Sequence, residues 1–173
     1  MATREPGPEP ESAAAIDPDA FRRAVGHLPT GVTVVTAPGV DEPSGLTANA
    51  VASLSLDPPL MLACLDRGSR TLRAVEAAGR FGVNVLAAHQ ASLARAFSTK
   101  REMHEKWDGV AWTERNGVPA LDGTVVWLAC ELRDVLAGGD HVIVTGSVLE
   151  AAAGDADPLV FFRGAYLGLG EAP

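Results

Sequence analysis

The chain lacks most of the residue patterns on which self-contained chemistry is built. Its 173 residues include two cysteines, Cys64 and Cys130, each inside an apolar run (MLACL and WLACEL). Neither CxxC spacing nor a cysteine framework is present, so both thiols read as small buried hydrophobes rather than zinc or redox groups. The four histidines, His27, His89, His104 and His141, have no ligand spacing, and no metal site is expected. No GxGxxG joins a strand to a helix, and no Walker loop occurs. Ser147 in TGSVLE lacks the flanking glycines of a nucleophile elbow. These absences disfavour a Ser/His/Asp hydrolase and a dinucleotide-fold enzyme. They point to chemistry that depends on a bound cofactor.

Basic residues are also scarce. Lys and Arg number 14 against 22 Asp and Glu, a net charge of −8, which disfavours a nucleic-acid binder. No apolar run reaches transmembrane length and the N-terminus has no signal-peptide core, so no membrane is expected and a cytoplasmic location is. With 47% hydrophobic and 21% charged residues the composition is that of a globular protein. One domain over 16–173 is expected, after a disordered lead over 1–15 (MATREPGPEPESAAA) that has almost nothing large to bury.

Asp17-Pro18 predicts a helix start, with Phe21, Ala24, Val25 and Leu28 on one face and Gly26 to Pro29 as its end. Strands are predicted at GVTVVTA (31–37), GLTANAV, PLMLACL, FGVNVL (81–86), 125–136, 141–151 and 158–170. Ser69 can cap a helix running through Leu72, Val75 and Ala78, and a further helix is expected from Gln90 to Phe97. The charged stretch 98–108 (STKREMHEKWD) reads as an exposed excursion. Ala137-Gly138-Gly139-Asp140 is a hairpin signal. Many strands, few helices and frequent Gly/Pro turns predict a mainly β protein, an antiparallel barrel with a few covering helices.

The stretch GLTANAVASLSLDPP (45–59) stands out among these strands. Thr47, Asn49, Ser53 and Ser55 alternate with Leu and Ala where a purely structural strand would use Val, Ile and Phe. Short side chains let a backbone approach a flat polar ligand closely, and a flavin ring is such a ligand. Downstream, Asp66, Arg67, Ser69 and Thr71 precede a helix whose free amides form a ready phosphate site. Ser69 can equally serve as the N-cap and Asp66 as a turn residue, and both roles can coexist.

Six blocks in order, PTGVTVVT (29–36), GLTANAVASLSLDPP (45–59), LDRGSRT (65–71), FGVNVL (81–86), GGDHVIVTGSV (138–148) and FFRGAY (161–166), resemble the short-chain flavin reductases. These are the reductase components of two-component flavin-dependent monooxygenases. The similarity runs from about Phe21 to Leu169. It implies an antiparallel Greek-key split β-barrel of the FMN-binding type and a homodimer with the flavin near the subunit interface. It also implies hydride transfer from NADH or NADPH to FMN or FAD, with the reduced flavin passing to a separate monooxygenase. Two other readings stay open: a flavoprotein of this fold that keeps its flavin and acts on an organic substrate, and a flavin- or haem-binding carrier without turnover.

The resemblance also assigns residues. Thr47, Ala48 and Asn49 match the strand that contacts the isoalloxazine, with pairing to a neighbouring turn as the alternative for Asn49. Ser53 and Ser55 are candidates for the ribityl or phosphate oxygens. Thr30 lies where the family approaches the flavin or nicotinamide. Phe81 and Asn84 alternate with core residues, and Phe81 reads equally as core or as ring-edge packing. Lys100 and Arg101 read as part of a solvated charge run. His141 stands where the family has a histidine near the nicotinamide or flavin, which makes it the catalytic candidate, and Tyr166 could line the same mouth. Arg163 is a counter-charge or an interface residue. Ala50 departs from the serine frequent in the family and removes one possible flavin contact.

Overall fold

Asp17 caps the first helix as the sequence predicts. In the computed structural model, which describes residues 16–169, its carboxylate accepts the N–H groups of Asp19 (3.3 Å) and Ala20 (3.1 Å). Pro18 opens the helix α1 (Pro18–Val25), where its missing N–H costs nothing. The apolar face of α1 forms but stays open: no residue of the helix is buried, and Phe21, Val25 and Leu28 are all exposed. The proposed lead over 1–15 lies outside the described residues.

Five strands follow: β1 (Thr30–Gly31), β2 (Thr33–Ala37), β3 (Ser44–Ala48), β4 (Val51–Leu56) and β5 (Pro59–Asp66). Next come α2 (Arg70–Ala78), β6 (Arg80–Val85), a 3-10 turn at Ala88–Gln90, and the helices α3 (Ala91–Ser98) and α4 (Met103–Trp107). The chain then runs through β7 (Trp112–Arg115), β8 (Val118–Leu121), β9 (Val126–Gly138), β10 (His141–Ala153), β11 (Leu159–Phe162) and β12 (Ala165–Gly168). The main sheet is antiparallel with seven strands in the order β3-β2-β6-β9-β10-β5-β4. A three-stranded sheet β1-β11-β12 and the hairpin β7-β8 complete it.

That strand order carries the geometry of the site. β3 and β4 stand at opposite edges of the sheet, yet only Asn49 and Ala50 separate them in sequence. The sheet must therefore curl until its two edges meet at this corner. They meet without a ladder between β3 and β4, so the barrel is split there. The Cys64 N–H donates to the Ala50 carbonyl (2.8 Å) and ties the corner to β5.

Strand β2 is buried along its whole length, and its side chains alternate between two cores. Val35 and Ala37 join Leu65, Val75, Phe81 and Val144 on one side; Val32 and Val34 join Leu86, Phe97, Trp107 and Leu159 on the other. This double burial explains why GVTVVTA reads as a β-branched run rather than an alternating one. Helix α2 ends at Gly79, whose φ of 64° is the left-handed C-cap conformation that glycine adopts without strain. Cys130 is fully buried, and burial pushes its thiol up to about 12, so it is inert at neutral pH; Cys64 is half-buried.

Two expectations are corrected, and one element is new. The stretch 98–108 is not an exposed excursion, because α4 turns Met103, Lys106 and Trp107 inward at helical spacing. The stretch 158–170 is not one strand. It folds back at Arg163 (φ 51°) and Gly164 (φ 79°), a two-residue turn with both central residues at positive φ. The β7-β8 hairpin is additional; its turn at Asn116 and Gly117 has the same character (φ 51° and 72°).

Candidate functional site

Two cavities open on either side of the Thr47–Asn49 segment. The first, of about 630 Å³, lies between β3, the start of α2 and the α3–α4 connection. Ser69 caps α2 by accepting the Leu72 N–H (3.0 Å), and Asp66 accepts the Gly68 N–H (2.7 Å), so both local roles read from the sequence are present. The start of α2 thereby faces this cavity through Ser69, Arg70 and Thr71.

The lining is electropositive. Arg70, Arg73, Lys100 and Lys106 face one carboxylate, Asp66. Arg70 pairs with Glu102 and donates to the Arg101 carbonyl, which ties α2 to the head of α4. Thr71 is 1% exposed, and its hydroxyl has no partner among the described residues. Thr47 donates its hydroxyl to the Ala94 carbonyl of α3 (2.7 Å), which leaves its oxygen lone pairs for a ligand. Lys106 is buried on the same wall; burial and the nearby Arg70 charge hold its ammonium below the usual lysine range.

The second cavity, of about 940 Å³, is mostly apolar. It lies between α1, the Asn49-Ala50 corner and the β11–β12 turn, with Val25, Leu28 and Phe161 among its lining. Two polar groups reach it from the barrel. Asn49 is half-buried, and the Thr30 hydroxyl is buried with no partner among the described residues. Arg22, Arg23 and Arg163 stand round the opening. Arg22 and Arg23 already face Asp19 and Asp17 on α1 (2.7 and 4.0 Å), whereas Arg163 makes no ion pair among the described residues.

The structure thus brings Thr47, Asp66, Ser69 and Thr71 to one cavity, and Thr30 and Asn49 to the other, with Ala48 buried between them. Other candidates fall elsewhere. Ser53 is exposed and Ser55 half-buried on the edge strand β4, and they line neither cavity. Phe81 is 0% exposed in the core, which resolves the core-or-ring-edge ambiguity in favour of the core. Asn84 is a structural tie rather than a ligand group. Its amide donates to the Val34 carbonyl (3.1 Å) and Thr36 hydroxyl (3.2 Å), and its oxygen accepts the Leu121 N–H (2.8 Å). Every hydrogen bond that fixes Asn84 therefore goes to the scaffold.

Tyr166 sits behind the apolar cavity, packed on Phe161 (5.3 Å between centroids) beneath the Arg95 guanidinium (5.0 Å). His141 lies outside both cavities, at the hairpin tip opposite Asp66 in register. Its Nδ1 contacts the Asp140 carboxylate at 2.8 Å, and the hydrogen bond and charge of His141 lower the Asp140 carboxyl. Arg67 donates to the His141 carbonyl (3.3 Å), which joins this tip to the loop before α2. Sequence reading missed the burial of Lys106. The spacing of Met103, Lys106 and Trp107 was the available signal, hidden in a run of charge.

Comparison with known proteins finds relatives over nearly the whole chain. The chain is 39% identical over 161 residues to the reductase subunit HsaB of a flavin-dependent monooxygenase from Mycobacterium tuberculosis, covering 91% of this chain and 85% of that one. It is 41% identical over 158 residues to a flavin reductase of Pseudomonas putida, with 90% and 92% covered. The NADH:FAD oxidoreductase SgcE6 of Streptomyces globisporus superposes with a TM-score of 0.84 at 36% identity, over 96% of this chain and all of that one. Residues 25–170 match the flavin reductase like domain, and the chain belongs to that family.

Proposed function

We propose that this protein is an NAD(P)H:flavin oxidoreductase that reduces FMN or FAD and releases the reduced flavin to a separate monooxygenase. One observation carries the reading: an electropositive cavity and an apolar one adjoin the same short segment, and each holds a buried hydroxyl without a partner. A flavin has that division, with an anionic tail and a flat, largely apolar ring. The orphaned Thr71 hydroxyl and the amides at the start of α2 fit the tail; the orphaned Thr30 hydroxyl and Asn49 fit the polar edge of the ring.

A flavin bound there supplies the electron-accepting ring, and NADH or NADPH supplies the hydride. The chain's own work is placement. Ser69 caps α2, whose first amides would hold the phosphate end of a flavin. The Asn49 amide and backbone at the Thr47–Asn49 segment would hold the edge of the ring and fix its plane. Val25, Leu28 and Phe161 would give the ring face an apolar bed. Holding two rings in near-attack geometry is the main source of rate in such a reaction.

A homodimer completes the proposal. Phe21 and Val25 on α1, Leu28 just after it, and Leu54 and Leu56 on β4 are exposed in the single chain, apolar surface that a second copy would cover. His141 lies outside both cavities but pairs in register with Asp66, which lines the electropositive one, so a nicotinamide at that rim would be within its reach. We place the protein in the cytoplasm; no helix among the described residues is long and apolar enough to cross a membrane.

The deciding experiment is nucleotide oxidation, followed by loss of NADH or NADPH absorbance with FMN, FAD and riboflavin added in turn. A flavin-dependent rate is expected, and its absence with both nucleotides would reject the reductase assignment. His141→Ala is expected to lower kcat/KM for the nucleotide about tenfold, the worth of one lost hydrogen bond in the transition state. Unchanged kcat and KM would remove His141 from the site.

A further inference from the structure

We propose that Lys106 is the buried counter-charge for the phosphate of the flavin tail. The proposal rests on the flavin reading above and names a group that the sequence hides in a charged run. Lys106 is 5% exposed on α4, between Met103 and Trp107, which are buried as well. Its Nζ donates to the Phe97 carbonyl at 3.3 Å. An ammonium carries three N–H donors, so this single long bond leaves two without acceptors among the described residues. No carboxylate among the described residues forms an ion pair with it. It also borders a pocket with Asp108 and Asp122, and pairs with neither.

A buried, unpaired ammonium is costly, and an apolar side chain of similar volume would pack there at no such cost. Desolvation and the Arg70 charge already act against its protonated form. What would compensate is an anion delivered from the cavity. The unpartnered Thr71 hydroxyl lies on the same wall, so two buried polar side chains with unused hydrogen-bonding capacity border one space. The other cations are less suited to the task. Arg70 is engaged with Glu102 and the Arg101 carbonyl, while Arg73 and Lys100 are exposed to competing water. A phosphate brings nearly two negative charges and three acceptor oxygens. Lys106, Thr71 and the first amides of α2 could share them.

The test compares two probes that differ only in the phosphate. Equilibrium binding of FMN and riboflavin is measured by flavin fluorescence on wild type and Lys106→Met, with folding checked by circular dichroism. Wild type should prefer FMN. In K106M the FMN affinity should fall at least about tenfold, while riboflavin affinity stays within about twofold. A K106M protein that keeps its FMN preference, or that loses both flavins equally, overturns the assignment; equal loss would make Lys106 a scaffold residue. A second measurement needs no variant. In wild type the FMN-to-riboflavin affinity ratio should largely survive about 0.5 M KCl, because buried pairs are screened much less than exposed ones. Collapse of that ratio would hand the phosphate to the exposed arginines and Lys100, overturning the proposal even if K106M does not fold. A wild type that binds neither flavin rejects the flavin reading itself, and Lys106's role with it.

Discussion

Phe81→Ala should cost about 3–5 kcal/mol of stability while leaving the flavin affinity of the folded protein unchanged. Phe81 is 0% exposed, and β6 sets it opposite Cys130 in the central part of the main sheet. Gly146 on β10 faces the ring so closely that a Cβ built there would stand 2.6 Å from it. The core is shaped round this side chain, and backbone on that side cannot collapse far into the space that alanine would leave. For a chain of this size the loss corresponds to a melting temperature lower by roughly 6–20 °C. Urea denaturation measures the energy, and flavin titration at low temperature measures the affinity. A loss below about 1 kcal/mol together with weaker flavin binding would put Phe81 at the ligand instead.

Gly45→Ala should have the complementary signature, losing stability and flavin affinity together. A Cβ on Gly45 would come within 2.5 Å of the Phe97 ring and 3.3 Å of Trp107. Those aromatics cannot swing away, since Phe97 is 1% exposed and held edge-on to Trp107 at 5.0 Å between centroids. Overpacking of this kind costs about 1–3 kcal/mol. The relief available is a shift of α3 and α4, and these helices carry Phe97, Met103 and Lys106 on the wall of the electropositive cavity. Chemical denaturation and FMN titration on one preparation separate the two effects. Stability lost without any change in FMN affinity would show that the cavity wall does not follow the helices.

Gly45 also shows where sequence reading stopped. The small residues of 45–59 read as room for a ligand, and Thr47 and Asn49 do each border a cavity. At Gly45 the missing side chain instead admits an aromatic ring from α3, a contact between residues 52 positions apart that no local pattern reveals. At Ser53 and Ser55 the small side chains belong to an edge strand. Signals that act over a few residues were legible: the Asp17 cap, the Ser69 cap and the β9-β10 turn all form where the sequence puts them. The helical face of α1 was legible too, but what covers it was not, because a periodic pattern names a buried face without naming its partner. In α4 the run of charge obscured the buried stripe of Met103, Lys106 and Trp107. The turn at Arg163 was masked by apolar residues on both sides, which read as one continuous strand.

The corner where the split sheet meets itself has a further consequence. Polar groups of the electropositive cavity come from β3, the end of β5, α2 and the α3–α4 region; those of the apolar cavity come from α1 and its end, β1, the corner and the turn after β11. Few side chains serve both. Changes to one set should therefore combine almost additively with changes to the other, as independent sites do. Preference for one flavin tail over another could then drift, or be engineered, without disturbing how the ring meets its reductant. A lineage built on this barrel can change what it carries while keeping how it transfers charge.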